Sequence, residues 1–276
     1  MKTILVTGGT NGIGKGIAMH FLKKGERVIV VGSSSENSDT FYNEAKQLGA
    51  EERAVYIQAD LSLVKENQRV IEEVKNQFHS LDMLVLCAVK HNKTYVETGE
   101  GFEFTFALYY LSRFILNYGL KECLEKAESP VILNVCATGM KGEINWNDLQ
   151  HKKSYDNVSF HGSRLNDLLG VAFAGNDTVG KIKYILYNPW AVQTSGVFEM
   201  FDKSLTKNIM KLLYKIIGKP ADKAAEIIFE LLDNPPAPSL SAFRERKEID
   251  LTMRTFDKEN AKRLYNITIQ LLKGIF

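Results

Sequence analysis

The sequence predicts an α/β fold, a doubly wound parallel sheet in a three-layer αβα arrangement. Two observations lead there. Short runs rich in Val, Ile and Leu recur without polar alternation, the pattern of strands buried on both faces. Longer segments of helical periodicity separate them, so strand and helix alternate through the first half of the chain. A third observation marks the ligand edge. The glycine cluster Thr7-Gly8-Gly9-Thr10-Asn11-Gly12-Ile13-Gly14 falls directly between the first strand and the first helix.

The elements follow in order. Ile4 to Thr7 reads as a buried strand, and Ile13 to Lys24 as a helix with Ile17, Ala18, Phe21 and Leu22 on one face and Gly25 as its stop. Arg27 to Val31 is a strand and Asn37 to Leu48 a helix ended by Gly49. Ala54 to Gln58, Met83 to Cys87, Val131 to Val135 and Ile182 to Tyr187 are further strands. Between them lie a helix from Val64 to Phe78 and a long aromatic-rich helix from Gly101 to Lys126. Ser159 to Ala174 and Leu205 to Ile217 are also helical, and one more strand and helix follow Pro238. Right-handed crossovers fix the hand of such a sheet. With no repeat or linker in view, residues 1–276 are expected to form one domain.

Bulk properties exclude several classes. The 276 residues are 45% apolar and 25% charged, with a net charge of +2. That balance supplies no field to draw the chain to nucleic acid. Cys87, Cys123 and Cys136 show no paired spacing, so a metal site and a disulfide framework are not expected. No signal segment or membrane-spanning run is visible, and a cytoplasmic protein without an integral membrane segment is the expectation.

The glycine cluster carries the first functional reading. Glycines let the backbone approach a pyrophosphate, and the helix behind them offers free N–H groups and a positive dipole end. The spacing is Gly-x-x-x-Gly-x-Gly. Together with Thr7 and with Asp60-Leu61-Ser62 after the third strand, it resembles the short-chain dehydrogenase/reductase family, a Rossmann-fold family. Asn147-Asp148-Leu149, Lys153-Ser154-Tyr155 and Arg263-Leu264-Tyr265-Asn266 are similar to its retinol-dehydrogenase-like branch.

The resemblance implies a nicotinamide dinucleotide held by Gly8, Thr10, Asn11, Gly12, Ile13 and Gly14. It adds Asp60 and Leu61 at the adenine, Ala88 after the fourth strand, Pro189, Thr194 at the carboxamide, and Arg164 at the ribose. Asp60 is alternatively a cap for the helix that follows. No acid ends the second strand to bond a ribose 2′-hydroxyl; Ser33 and Ser34 stand there instead, so NADP(H) is favoured over NAD(H).

The same resemblance implies a proton-transferring Tyr, a Lys four residues later, a Ser and an Asn. The chain departs from it at each place: Phe160, Arg164, Ala137 and Tyr109 fall there. Cys87-Ala88-Val89 and Pro189-Trp190 replace Asn-Ala-Gly and Pro-Gly. A phenyl ring neither gives nor takes a proton. Tyr109, its pKa lowered by Arg164, is the sharpest replacement, with Thr138 as a possible hydroxyl; His161, Tyr155 and Cys136 are alternatives, each readable as packing.

The segment from about 190 to 218, with its apolar helical face, is expected to lid a pocket for a lipophilic small molecule. The two helices Gly101 to Lys126 and Ser159 to Ala174 are expected to form a homodimer face, as the resemblance implies. Three readings stay open: an atypical NADP(H)-linked reductase of an activated substrate, a non-redox cyclase, isomerase or lyase, and a non-catalytic nucleotide-binding protein, so the cofactor could have no chemical part.

Overall fold

A computed structural model describes residues 1–273 except 91, 141, 156–157, 191 and 194–218. The strands are β1 (Thr3–Thr7), β2 (Arg27–Gly32), β3 (Ala54–Gln58), β4 (Met83–Leu86), β5 (Val131–Val135), β6 (Lys183–Asn188), β7 (Val192–Gln193), β8 (Lys219–Pro220), β9 (Leu240–Arg244) and β10 (Lys247–Glu248). Eight of them form one sheet in the order β10-β9-β6-β5-β4-β1-β2-β3, parallel except for the β9–β10 hairpin. The strand order reverses beside β1, and in such sheets ligands bind at the carboxyl ends near that reversal.

Strand side chains alternate between two buried faces, as the uninterrupted apolar runs require. Ile4, Val6, Val28, Val30 and Ile185 face α1 (Gly12–Lys23), α2 (Ser35–Gln47) and α8 (Ala221–Asp233). Leu5, Ile29, Leu84, Ile132 and Leu186 face α3 (Val64–Gln77), α5 (Ser112–Gly119) and α7 (Val158–Asn176). Full burial of each such side chain contributes about 1.5–3 kcal/mol. This is the three-layer arrangement the sequence predicts.

The helix expected from Gly101 to Lys126 is present with a later start: α4 (Phe104–Phe106) runs through a π-helical segment Ala107–Leu111 into α5, and α6 (Lys121–Glu125) follows a turn at Leu120. Single π-turns inside helices mark functional positions more often than chance, and this one contains Tyr109. The expected dimer helices also have a neighbour within the chain. The C-terminal helix α9 (Lys258–Lys273) packs Ala261, Leu264 and Leu272 against Phe114, Leu165, Leu168 and Leu169. The Tyr110 and Thr268 hydroxyls bond at 2.6 Å. The chain therefore covers part of its own α5 and α7 surface from within. Among the described residues no helix is long and apolar enough to cross a membrane.

Candidate active site

The glycine loop leaves β1 and enters α1. Gly8 has φ +67°, and a Cβ there would stand 2.9 Å from the Ala88 backbone. A Cβ on Gly14 would stand 2.4 Å from the Gly8 carbonyl oxygen. The Thr7 hydroxyl accepts from the Cys87 and Ala88 amides, both at 3.2 Å, which ties the loop after β4 to the end of β1. Asn11 is the N-cap of α1, but its side chain makes no capping bond. The first-turn amides of α1, including Ile13 and Gly14, are thus left without a side-chain acceptor, as an anion site requires. The loop fits a dinucleotide pyrophosphate on these grounds. Thr10 and Gly12 are half-buried on the same turn.

Beyond β2, Ser33 is exposed and Ser34 is the N-cap of α2, again without a side-chain capping bond. The Tyr56 hydroxyl donates to the Ser34 carbonyl at 2.7 Å. Lys15, one residue past the glycine loop, pairs with Glu44 of α2 at 2.5 Å. Asp60 is exposed and accepts from the Ser62 amide and hydroxyl at 3.0 and 2.7 Å, while Leu61 is buried. Asp60 does not cap the next helix: α3 begins at Val64, and Glu100 accepts from the Val64 and Lys65 amides instead.

The opposite end of the cleft is filled by a buried polar framework. Arg113 is 1% exposed, and its guanidinium donates to the Asn134 side chain, to the Val135 carbonyl at 3.0 Å and to the Ala88 carbonyl at 3.1 Å. It lies 4.5 Å from the Tyr109 ring centroid. Asn134 donates to Asn166 and to the Tyr184 hydroxyl, and Asn166 donates to the Tyr109 and Gly162 carbonyls. No carboxylate pairs with Arg113 among the described residues. Neutral acceptors and an aromatic face hold this charge. Sequence reasoning missed Arg113, Asn134 and Asn166. The one available signal was Asn134, a polar residue inside the apolar run Val131–Val135.

Tyr109 is buried. Its hydroxyl accepts from the Ala137 amide at 3.3 Å and bonds the Ser163 hydroxyl at 3.2 Å. Gly162 makes room for it, because a Cβ there would stand 2.7 Å from the Tyr109 ring. The expected effect of Arg164 on Tyr109 is not found. Burial pushes the phenol up, and the arginine acting against that is Arg113. Arg164 instead donates to the Ala137 carbonyl at 2.9 Å and pairs with Asp167 at 2.8 Å, both side chains buried. Burial raises the Asp167 carboxyl to about 6, against the pull of Arg164.

Of the other replacements, Thr138, Cys136 and His161 are buried and Tyr155 is half-buried. Thr138 is fully buried, its carbonyl accepting from Asn188 at 3.1 Å. Burial pushes the Cys136 thiol up to about 12, so it is no nucleophile near neutrality. His161 is buried edge-on against His151, and burial lowers its pKa to about 4. Tyr155 donates to Glu103 at 3.1 Å.

Three apolar side chains here are open to solvent, beside exposed Lys90 and Glu143. Phe160, Val89 and Trp190 are each nearly half exposed. Pro189 is half-buried. Trp190 has φ +59°, a left-handed backbone that a bulky residue rarely adopts. Its amide donates to Asn188 at 2.9 Å, and the Arg244 guanidinium lies 4.8 Å from its ring centroid. Thr194 and the expected lid helix Leu205 to Ile217 lie outside the described residues.

Residues 2–147 match the family model described as short chain dehydrogenase. The chain belongs to that family of nucleotide-binding oxidoreductases. It is 24% identical to retinol dehydrogenase 14 of Mus musculus over 289 residues, covering 99% of this chain and 86% of that protein. Human dehydrogenase/reductase SDR family member 12 is 31% identical over 157 residues, 55% of this chain and 48% of that one. Among solved structures, L-sorbose reductase from Gluconobacter frateurii in complex with NADPH and L-sorbose superposes with a TM-score of 0.68. That likeness is at 17% identity over 88% of this chain and 94% of that one, and concerns the fold.

Proposed function

We propose that the protein is an atypical NADP(H)-linked oxidoreductase that acts on an activated, lipophilic small molecule without a protein acid at the reacting atom. The observation that carries this reading is the pairing of an open glycine loop with an apolar, acid-free far wall. When bound, the nicotinamide supplies hydride. The chain's own residues then do three things. Gly8, Gly12, Gly14 and the α1 amides hold the pyrophosphate. The Ser33 and Ser34 hydroxyls receive the 2′-phosphate, with Lys15 within the same turn-and-helix unit as its nearest cation. Phe160, Val89 and Trp190 wall the substrate.

In this reading Phe160 and Arg164 replace the family's Tyr and Lys, and Ala137 and Tyr109 replace its Ser and Asn. Arg164 and Tyr109 then position the Ala137 loop, and neither gives a proton. An electron-poor alkene suits such a site, because water protonates the product carbanion after hydride arrives. Thr194 and the 190–218 lid are part of the reading by family resemblance. Residues 1–276 act as one nucleotide-binding domain in the cytoplasm, where free thiols such as Cys87, Cys123 and Cys136 persist. A homodimer through the part of α5 and α7 that α9 leaves uncovered belongs to the same reading.

The test is label transfer. Protein incubated with NADPH deuterated at C4 and a panel of conjugated enones is expected to deliver deuterium to the β-carbon of a product. NADPH binding with no label transfer to any acceptor overturns the redox part and leaves a nucleotide-binding protein. That second reading is favoured by the burial of Tyr109, Thr138, His161 and Cys136.

A further inference from the structure

A second cavity opens beyond Arg164, on the side of α7 that faces the C-terminal segment. Its volume is about 440 Å³, within the range that holds small organic ligands. Met140, Ile144, Trp146, Leu168 and Met253 give it apolar walls. None of its lining residues belongs to the glycine loop.

Its charge is what sets it apart. Arg164 and Arg254 are on the wall. Arg263 stacks on Trp146 at 4.2 Å, and Arg244 donates to the Met140 sulfur at 3.5 Å. Four guanidinium groups therefore stand in or against this wall. Three carboxylates answer them: Glu143 on the wall, Asp167 bonded to Arg164, and Asp257 on the Asn260 amide. Among the described residues only Arg164 of the four arginines has a carboxylate partner within salt-bridge distance. Arg164 itself is 2% exposed; its Nε and Nη1 have no acceptor, and Asp167 Oδ1 beside it has no donor, so the pair leaves two donors against one acceptor. Buried donors left unmet are rare, because each costs its desolvation. An anion with an apolar body answers both features at once.

We infer that this cavity binds an amphiphilic carboxylate, with its chain along Trp146, Ile144 and Met253 and its head on the Arg254 and Arg164 guanidinium groups. Arg–carboxylate bonds are charge-assisted and paired, which suits recognition of a flat two-oxygen head. The cavity shares no residue with the glycine loop, although it meets the proposed site at Arg164 and, through Gly142, at Phe160.

The chain has two tryptophans, so Trp190→Phe leaves Trp146 as the only indole reporter. Decanoate and 1-decanol are titrated against this variant and followed by Trp146 emission. Decanoate is expected to saturate the signal at least about tenfold more tightly than decanol, and Arg254→Gln to loosen it about threefold or more. Ile144→Glu is expected to abolish the decanoate response. Should that variant not fold, Asn260→Asp places the same charge on a half-buried helix position and is expected to loosen decanoate alone. Equal binding of decanol and decanoate overturns the anion assignment. So does an unchanged response in the charge variants, and no saturable response to decanoate removes the site. NADPH titration of the same samples by nicotinamide emission reports on the glycine loop separately, so the two proposals fail independently.

Discussion

The two ends of the cleft are built from the same fold by opposite means. Around β1 and α1, space is kept open: Gly8 and Gly14 have no side chain to spare room for, and α1 has no side-chain cap. Around β5 and α7, space is filled: Tyr109, Arg113, Asn134, Arg164 and Asp167 bond one another or the backbone and are buried. The first arrangement waits for an anion. The second has spent much of its hydrogen-bonding capacity on itself, leaving Arg113 Nε, Arg164 Nε and Nη1 and Asp167 Oδ1 without partners. A site that binds needs unmet donors and room, whereas a site whose donors are met internally gives stability and little chemistry.

That contrast can be broken at either end. The largest effect is expected at the filled end. Asp167→Asn leaves the Arg164 guanidinium buried beside a neutral partner and should cost about 3–5 kcal/mol of unfolding free energy at pH 7, measured by urea denaturation. A loss near zero would show that Arg164 is free to serve the cleft. Next comes pH. The His161 pKa is lowered from 6.5 to about 4 in the fold, so the unfolded chain binds the extra proton first. Its stabilising contribution is present above pH 6.5 and is lost as pH falls through the range down to about 4.

Asp167, raised from 3.8 to about 6, works in the opposite direction across the same range, since the fold holds its proton longer. Stability is therefore expected to change little between pH 4 and 6 from these two groups. His161→Gln should uncover the Asp167 slope and, between pH 6.5 and 4, gain on the order of 3 kcal/mol relative to wild type. Parallel stability profiles for the two proteins would place His161 in water.

At the open end, Gly14→Val should weaken NADPH binding about a hundredfold, ~2.7 kcal/mol, because the new side chain meets the Gly8 carbonyl. Nicotinamide fluorescence measures it, and unchanged affinity would make the loop irrelevant to nucleotide binding. The smallest effect belongs to Trp190. Glycine accepts φ +59° without penalty, so Trp190→Gly should raise stability by up to about 1 kcal/mol despite the lost contact with Arg244. A clear loss of stability would mean that the indole is part of the packing and not a strained wall of the site.

The parts legible beforehand share a cause. Strand runs such as Ile4–Val6 and Val28–Val31, and the helix face Ile17, Ala18, Phe21 and Leu22, are local patterns whose burial follows from periodicity. The glycine loop was equally legible, because its function rests on backbone geometry within eight residues. Phe160 and Arg164 could be placed by spacing, but their surroundings could not. Nothing in the sequence near Arg164 says that Asp167, one turn on, takes its charge and that Thr255, far along the chain, donates to the same carboxylate at 2.6 Å. Nor does the aromatic-rich helix announce the π-turn that carries Tyr109, or the dependence of that ring on Gly162.

By itself, then, the sequence determined the alternation of strand and helix, the parallel sheet and the open phosphate loop, all set by short-range patterning. The tertiary structure alone decided which polar side chains spend their hydrogen bonds inside the protein. It also decided that α9 covers part of α5 and α7, and that arginines from four separate segments gather around one apolar cavity. Those outcomes depend on contacts between residues as far as 158 positions apart, as Tyr110 and Thr268 are, and no local pattern encodes a partner at that distance.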